Sequence, residues 1–557
     1  MASQLCYAAN NGCQTNLVNL EAGTYSAVIT PPYDGDRTMS FKSTLSTDVT
    51  GTLAADKVQT LTLGRRGQNG RLSFAGTAGQ TVALQVAAQA TAPADRLTYY
   101  TVYKPDGAVL NSTSAGSNGT SATTLNLPNL PATGTYTVFV DPYQGETLST
   151  QLTLATGTTS GQVTNGASGS FATSIPQQNV YLTFTATAGQ NLGLALSDLV
   201  TPNTTNYAYL TVYKSDGGAV ASQLCYAANN GCQTNLVNLE AGTYSAVITP
   251  PYDGDRTMSF KSTLSTDVTG TLAADKVQTL TLGRRGQNGR LSFAGTAGQT
   301  VALQVAAQAT APADRLTYYT VYKPDGAVLN STYAGSNGTS ATTLNLPNLP
   351  ATGTYTVFVD PYQGETLSTQ LTLATGTTSG QVTNGASGSF ATTVPGQNVY
   401  LTFTATAGQN MGFALSNLVT PNSTNAVYFV VYRADGAGIA SQNCYVSSGG
   451  CQVNLANLDA GTYSVVITPP YNGDQTMSFK STLSTDVTGT LVADKVQTLT
   501  LGRRGQNGRL SFAGTAGQTV ALQVAGQTTV PAERTTYYTV YKPDGAHLNS
   551  VGATSEA

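Results

Sequence analysis

The chain has 557 residues, of which 25 are basic and 28 acidic, with one histidine, six cysteines and no tryptophan. This length predicts several modules rather than one hydrophobic core. The low and balanced charge argues against a nucleic-acid or anionic-membrane partner. No apolar run reaches the roughly 20 residues of a membrane helix, so no membrane span is expected. Small polar residues interleaved with Val, Leu, Tyr and Phe are typical of β-structure.

The first element along the chain is a cysteine pair that encloses a six-residue turn and recurs twice. The three pairs are Cys6 and Cys13, Cys225 and Cys232, and Cys444 and Cys451. We expect each to be a disulfide across a hairpin; free buried thiols and a metal site are the alternatives. A structural zinc site needs four ligands, and the lone His547 has no counterpart near the other pairs, so no metal is expected. Disulfides indicate an oxidising compartment, which predicts an extracellular or cell-surface protein, although the start MASQLC lacks the features of a signal peptide.

The sequence repeats with a shift of 219 residues, which places Cys6 on Cys225 on Cys444. Each copy contains an older, diverged repeat of about 110 residues. FAGTAGQTVALQV from Phe74 corresponds to FTATAGQNLGLAL from Phe184. Two related module types therefore alternate, and we call the cysteine-free type plain and the other type stapled. Such self-similarity is typical of a repeat architecture.

A plain module shows alternating apolar and polar residues in eight short runs, separated by Gly, Pro, Asn and Asp. The runs are VQTLTL, GRLSFAGT, QTVALQV, YYTVYKP, AVLNST, ATTLNLP, GTYTVFVDP and STQLTLA, which begin at Val58, Gly70, Gln80, Tyr99, Ala108, Ala122, Gly134 and Ser149. Eight antiparallel strands in about 110 residues predict a two-sheet sandwich. The predicted fold class is all-β, a tandem array of jelly-roll-like or Ig-like antiparallel β-sandwich modules with a half-module at each end.

Three stretches of the plain module resemble a known family. FAGTAGQTV from Phe74, YKPDG from Tyr103 and LPATGTYTVFVDP from Leu130 are similar to the pre-peptidase C-terminal β-sandwich repeats of large secreted bacterial proteins. Related stretches recur in every module, so the resemblance covers nearly the whole chain. It implies a secreted bacterial β-sandwich, and it assigns no catalytic residue.

The strand pattern divides the chain into four complete modules and two halves. The predicted limits are 2–46 for the C-terminal half of a stapled module, 47–156 for a plain module, 157–265 for a stapled module, 266–375 for a plain module, 376–484 for a stapled module and 485–557 for the N-terminal half of a plain module. Each half-module is expected to carry four strands, and neither is expected to be stable alone, because it would expose half of a core and unpaired strand edges.

The two halves add up to one module, which predicts self-assembly. We expect the N-terminal half, through Tyr25 and Val28, to complete the C-terminal half of another copy at Phe512 and Val540. The product would be an extracellular filament, a head-to-tail homopolymer. Two alternatives remain open: a fragment of a long repetitive adhesin stalk, and a set of glycan-binding or enzyme-accessory modules with glycans or a surface as partner. A hybrid of plain front and stapled back occurs nowhere within the chain, which favours the fragment.

Chemical sites are sparse in the sequence. No repeated Ser/His/Asp or paired-carboxylate spacing is present, so neither an enzyme nor a cofactor is expected. Tyr33-Asp34-Gly35-Asp36 resembles a calcium loop weakly, and a plain turn is the preferred interpretation because the third copy has Asn472 in place of Asp34. The arginine pair Arg65-Arg66 recurs in LGRRGQNG and suits either an anionic glycan or a solvated loop.

Overall fold

The computed structural model describes residues 4–7, 12–31, 38–116, 122–251, 257–335, 341–470 and 475–555. In these ranges the chain is built from strands, and its helical content is four 3-10 turns. The turns are Tyr143–Gly145, Ala227–Asn229, Tyr362–Gly364 and Val446–Ser448. The predicted all-β class is confirmed. Nowhere in the described ranges is there a helix long and apolar enough to cross a membrane.

Four units of nine strands follow one another. The strands of unit 1 are β1 (Val49–Thr52), β2 (Val58–Leu63), β3 (Gly70–Gly76), β4 (Val82–Ala92), β5 (Thr98–Tyr103), β6 (Val109–Ala115), β7 (Thr123–Leu127), β8 (Gly134–Pro142) and β9 (Thr147–Ala155). The strands of unit 2 are β10 (Ser160–Gln162), β11 (Ser168–Ala172), β12 (Val180–Ala186), β13 (Gln190–Val200), β14 (Tyr207–Lys214), β15 (Ala219–Tyr226), β16 (Gly231–Leu239), β17 (Gly242–Thr249) and β18 (Ser259–Thr266).

Units 3 and 4 repeat this series. The strands of unit 3 are β19 (Val268–Thr271), β20 (Val277–Leu282), β21 (Gly289–Gly295), β22 (Val301–Ala311), β23 (Thr317–Tyr322), β24 (Val328–Ala334), β25 (Thr342–Leu346), β26 (Gly353–Pro361) and β27 (Thr366–Ala374). The strands of unit 4 are β28 (Ser379–Gln381), β29 (Ser387–Ala391), β30 (Val399–Ala405), β31 (Gln409–Val419), β32 (Ala426–Tyr432), β33 (Gly438–Tyr445), β34 (Gly450–Leu458), β35 (Gly461–Thr468) and β36 (Ser478–Thr485). Units 1 and 3 are plain, and units 2 and 4 are stapled.

All four units share one sheet topology. Counted within a unit, one sheet has the strand order 1-3-8-5-6 and the other has the order 2-9-4-7. Inward-facing side chains of both sheets form a single hydrophobic core in each unit, as expected of a β-sandwich. In unit 2 the two sheets are also joined at one edge, where Tyr226 pairs with Gly231.

The structure corrects the predicted strand count and direction. Each unit has nine strands rather than eight, and the additional strand is the first. In unit 1 this strand, Val49–Thr52, runs parallel to β3, so the 1-3-8-5-6 sheet is mixed, whereas the 2-9-4-7 sheet is antiparallel as predicted. Its sequence, VTGT, contains four residues and a glycine. A run this short has too few alternating positions to be recognised as a strand from sequence.

A stacked aromatic pair lies in the core of every unit. A Phe of the third strand stands opposite a Tyr of the eighth strand, and their ring centroids lie 5.2–5.4 Å apart. The four pairs are Phe74–Tyr136, Phe184–Tyr244, Phe293–Tyr355 and Phe403–Tyr463. Plain and stapled units therefore build the centre of one sheet in the same way.

The segments on either side of the four units differ from them. The C-terminal segment contains β37 (Val487–Thr490), β38 (Gly508–Ser511), β39 (Thr535–Tyr541) and β40 (His547–Thr554). These strands form two separate ribbons, β37-β38 and β39-β40. The described part of the N-terminal segment, within 4–46, has no strand and a single bridge between Tyr7 and Gly12.

Candidate functional site: open strand positions and unit junctions

The eighth and ninth strands occupy central positions in a complete unit. The eighth lies between the third and fifth strands, and the ninth lies between the second and fourth. In unit 2, Tyr244 of the eighth strand pairs with Phe184 on one side, and Ala246 pairs with Val212 on the other side. Both sheets therefore depend on strands that come late in the sequence of the unit.

The C-terminal segment contains counterparts of the first six strands and lacks the last three. Its ribbons β37-β38 and β39-β40 correspond to the 1-3 and 5-6 pairs of a complete sheet, so the position of the eighth strand between them is open. Phe512 is 40% exposed, whereas its counterpart Phe293 is 1% exposed. Val540 is half-buried, whereas its counterpart Val321 is fully buried. Core side chains therefore line an unfilled position.

Two of the four strands expected in this half-module are VQTLTL from Val496 and QTVALQV from Gln518, and these two predictions are wrong, since neither run belongs to a strand. In complete units these runs are the second and fourth strands, which pair with the ninth strand. Because the ninth strand is absent from the segment, the runs have no central neighbour. The prediction of four strands also missed β37 and β40.

The N-terminal segment has the same sequence as the second half of unit 2. Residues 4–46 and 223–265 are identical letter for letter. Tyr25 is 56% exposed, whereas the identical Tyr244 is 3% exposed. The four strands predicted here are not formed among the described residues, because the second to fifth strands that would flank them are missing from the segment.

The position that corresponds to the self-assembly residue Val28 lies outside the core in unit 2. Its counterpart Val247 is only half-buried, whereas the neighbouring Ala246 and Ile248 are fully buried. Side chains alternate between the two faces of a strand, so a shift of one residue moves a side chain out of the core. The residues of the N-terminal segment that correspond to core positions are therefore Tyr25, Ala27 and Ile29.

All three cysteine pairs form disulfides, Cys6–Cys13, Cys225–Cys232 and Cys444–Cys451, and no free cysteine occurs in the described ranges. In unit 2 the bond joins the sixth and seventh strands, and both cysteines are fully buried in the core. The bonds are compatible with a secreted or cell-surface protein.

A hydrogen-bonded network joins each stapled unit to the plain unit after it. Between units 2 and 3, the side-chain amide of Gln233 donates to Asn288 at 2.7 Å, and Asn235 donates to Asp360 at 3.1 Å. Asn288 donates back to Asn235 at 2.9 Å and to Asp267 at 3.1 Å. The network fixes the two units through side chains whose polar atoms are partly or fully buried.

Glycines allow the backbones to touch at the same junction. A methyl group added to Gly193 of unit 2 would overlap the carbonyl oxygen of Gly286 in unit 3. The pair Gly412 and Gly505 repeats this contact between unit 4 and the C-terminal segment. Glycine is needed at both sites because any side chain would separate the two backbones.

The terminal segments form parts of the same network. In the N-terminal segment, Gln14 donates to Asn69 at 2.7 Å and Asn16 donates to Asp141 at 3.2 Å. Unit 4 contacts the C-terminal segment through Gln452, which donates to Asn507 at 3.5 Å. The junction surfaces of both segments are therefore in place although their sheets are incomplete.

The opposite junction, from plain to stapled, uses other groups. Thr124 of unit 1 donates to the carbonyl oxygen of Pro176 at 2.7 Å, and Asn126 donates to that of Gln177 at 3.0 Å. Beside them Ala83, Ala155 and Ile175 form a small buried cluster. The same cluster recurs between units 3 and 4 as Ala302, Ala374 and Val394.

Burial shifts the pKa values of two titratable groups at the stapled-to-plain junction. It raises the pKa of the Asp360 carboxyl to about 6, against the opposing effect of the Asn235 hydrogen bond. It also lowers the pKa of the Arg285 guanidinium, against the attraction of Glu365. Arg285 is half-buried, so this arginine of the LGRRGQNG repeat belongs to the junction rather than to a solvated loop, whereas Arg284 is exposed.

No group of three or more metal-binding side chains is found in the ranges given above. The weak calcium-like stretch Tyr33–Asp36 lies outside the described residues. Sequence reasoning also missed the junction network, because its members are single Gln, Asn and Asp residues spread over more than 100 positions. The recurrence of Gln14 and Asn16 in each stapled copy was the one available signal.

Comparisons with known proteins give no family. No family model matches the chain, and no curated protein matches it. Among solved structures, the CUB1-EGF-CUB2 domains of human MASP-1/3 match 37% of this chain and 99% of their own at 10% identity, with a TM-score of 0.13. The same domains of rat MASP-1 match 38% of this chain and 99% of their own at 11% identity, also with a TM-score of 0.13.

A third structure joins the catalytic domain of Clostridium perfringens ZmpB to two CBM51 domains. It covers 69% of this chain and 52% of its own at 7% identity, with a TM-score of 0.13. Similarities this weak carry no argument about function.

Proposed function

We propose that the chain is a structural protein of the extracellular space or cell surface, built as a tandem array of β-sandwich units. In this proposal residues 12–46 of one copy complete the C-terminal segment of another copy, which gives a head-to-tail filament. The observation that carries the proposal is the central place of the eighth and ninth strands in every complete unit. The C-terminal segment lacks these strands, and residues 12–46 have their sequence.

The fit can be stated residue by residue. Phe512 corresponds to the Phe, and Tyr25 to the Tyr, of the aromatic stack found in all four units. Val540 corresponds to Val212, whose partner Ala246 corresponds to Ala27. Since plain and stapled units share the stack and the strand order, a hybrid of plain front and stapled back meets no topological obstacle.

The donor is three strands rather than the four expected from sequence. Both segments contain a counterpart of the sixth strand: β40 in one, and residues 4–7 in the other. In the plain units the sixth strand lies at the edge of its sheet, and β40 already pairs there with β39. The filament contact would therefore use the counterparts of the seventh, eighth and ninth strands.

The junction contacts support serial stacking. Gln14 and Asn16 already hold the N-terminal segment to unit 1 with the bonds that hold unit 2 to unit 3. A completed hybrid unit would thus be joined on both sides by contacts present within the chain. A head-to-tail contact of this kind propagates unless its rotation closes a ring.

A β-solenoid is the alternative architecture for an all-β repeat chain. In a solenoid the ladders run from one repeat to the next. In the described ranges each ladder between named strands closes within its own unit or segment, which favours separate sandwiches in series.

A cysteine crosslink tests the contact. In the variant Ala27→Cys with Val540→Cys, the two side chains would lie opposite each other across adjacent strands. We expect oxidation to link the chains into a ladder of covalent oligomers on a non-reducing gel. The matched control is Val28→Cys with Val540→Cys, which places one cysteine on the outer face and should link far less.

Deletion provides the second arm. A chain without residues 2–46 should be monomeric, and adding residues 12–46 to the full chain as a peptide should shorten its filaments in electron micrographs. Filaments of unchanged appearance after the deletion would refute the complementation. A full chain that stays monomeric, and whose two cysteine variants give no covalent oligomers, would instead support the interpretation as a fragment of a longer array.

A further inference from the structure

The outer face of unit 3 carries a row of side chains that the stacking proposal does not use. Tyr333 of β24 stands opposite Tyr318 of β23, and Tyr318 stands opposite Asp360 of β26. Directly opposed residues on antiparallel strands project from the same face of the sheet. Tyr333 is 62% exposed and Tyr318 is 44% exposed, so two neighbouring rings are open to solvent.

The row ends in a cleft at the junction with unit 2. The cleft has a volume of about 170 Å³, and unit 3 contributes Tyr318, Asp360 and Tyr362 to its lining. Unit 2 contributes Gln223, Gln233 and Asn235. The cleft exists only where the two units meet, because each supplies about half of the polar groups.

We propose that the cleft and the tyrosine pair bind a neutral oligosaccharide, with one sugar ring in the cleft and the next rings across Tyr318 and Tyr333. A sugar ring presents C–H groups on its faces, which pack on aromatic rings, and hydroxyls at its rim, which both donate and accept hydrogen bonds. Gln233, Asn235 and the Oδ2 of Asp360 already bond one another or Asn288 in the junction network, so the rim hydroxyls would meet the Gln223 amide and the other carboxylate oxygen of Asp360, while the tyrosines match the faces. The inference does not depend on filament formation.

The size of the cleft decides how the ligand would lie. Closed pockets for small molecules usually measure roughly 300–1,000 Å³. A cleft of about 170 Å³ is smaller and would hold one ring. The remaining affinity must come from the exposed tyrosines, which makes a chain of several sugars the expected ligand rather than a monosaccharide.

The repeats supply natural variants of this row. In unit 1, Tyr99 stands opposite Ser114 and Asp141, so the outer tyrosine is replaced by serine. In the C-terminal segment, Tyr537 stands opposite Gly552. Only unit 3, among these three rows, has two adjacent tyrosines. Because β6 forms with Ser114 at the position that corresponds to Tyr333, a small side chain there does not disrupt the strand.

The test measures binding of four probes, cellohexaose, xylohexaose, mannohexaose and chitohexaose, to the full chain by isothermal titration calorimetry. We expect at least one hexasaccharide to bind at millimolar or lower concentration with one strong site per chain. Tyr333→Ser should weaken it about tenfold, as expected for the loss of one aromatic contact, and Tyr333→Phe should retain it. Ser114→Tyr should create a second site in unit 1.

The opposite outcomes overturn the inference. These are no binding of any of the four hexasaccharides at millimolar concentration, or binding that Tyr333→Ser leaves unchanged. A proline-rich peptide serves as the comparison probe, because such peptides also dock on exposed aromatic rings. Binding of the peptide that depends on Tyr333, with no sugar bound, would reassign the row to peptide recognition.

Discussion

Residues 4–46 and residues 223–265 have one sequence and two structures. In unit 2 this sequence supplies the sixth to ninth strands, and Tyr244 is 3% exposed. In the N-terminal segment no described residue belongs to a strand, and Tyr25 is 56% exposed. The difference is the presence of the first five strands of the unit. A strand that belongs in the middle of a sheet gains its hydrogen bonds and its burial from neighbours on both sides, so its sequence alone does not fold it.

The C-terminal segment gives the converse case. It has the sequence counterparts of the first six strands, and it forms only the pairs that need no later strand, β37-β38 and β39-β40. The split falls at the central positions of both sheets. A unit therefore folds completely only when its eighth and ninth strands are present. Its stability should fall sharply when the core side chains that these strands cover are removed.

The largest expected contrast is between two identical phenylalanines. Phe293→Ala removes a ring that is 1% exposed and should destabilise unit 3 by about 3–5 kcal/mol. Phe512→Ala removes a ring that is 40% exposed and should cost the monomer less than about 1 kcal/mol. Urea unfolding followed by far-UV circular dichroism measures both. Equal shifts of the transition would contradict the view that the C-terminal segment is open.

The disulfides give a second, smaller contrast. Replacing Cys225 and Cys232 by serine opens a loop of eight residues, which the chain-entropy relation values at about 2.5 kcal/mol. The identical replacement of Cys6 and Cys13 should leave the stability of all four units unchanged, because that loop lies outside any described ladder. Thermal unfolding of the two double variants separates these outcomes. A loss of unit stability in the Cys6 and Cys13 variant would show that the N-terminal segment is part of a folded unit.

The smallest expected effect is a pH dependence at the junction. The pKa of Asp360 is about 6 in the folded chain, above the value of about 3.9 for an unfolded chain. Stability from this group is therefore fully present below about pH 4 and is lost as the pH rises through about 6. Asp360→Asn should remove this dependence and raise the stability of unit 3 at pH 7 by about 1–2 kcal/mol.

Asp141, the counterpart in unit 1, provides the control. Burial raises its pKa as well, but the carboxyl is less deeply buried beside the N-terminal segment. Asp141→Asn should therefore change the pH profile in the same direction and by less. Denaturant midpoints from pH 4 to 8 measure both variants. A larger effect at Asp141 would mean that the N-terminal segment covers unit 1 more completely than unit 2 covers unit 3.

The sequence by itself determined the features that are local or repeated. The shift of 219 residues, the alternation of two module types, the runs of alternating residues and the short cysteine turns were all readable, because each depends on neighbouring residues or on direct self-comparison. The all-β class and the three disulfides followed from them. The first strand of each unit was missed because VTGT in the plain units and SGQ in the stapled units give too short a pattern.

The tertiary structure decided which strands meet. Strand partners lie far apart in sequence, as when Phe184 meets Tyr244, and the distinction between central and edge strands exists only in the sheet. It decided that Val28 corresponds to an outer position and Ala27 to a core position. It also brought Tyr333, Tyr318 and Asp360 into one row beside the amides of unit 2. Local alternation sets the two faces of a strand, but only packing against distant strands sets which face is buried.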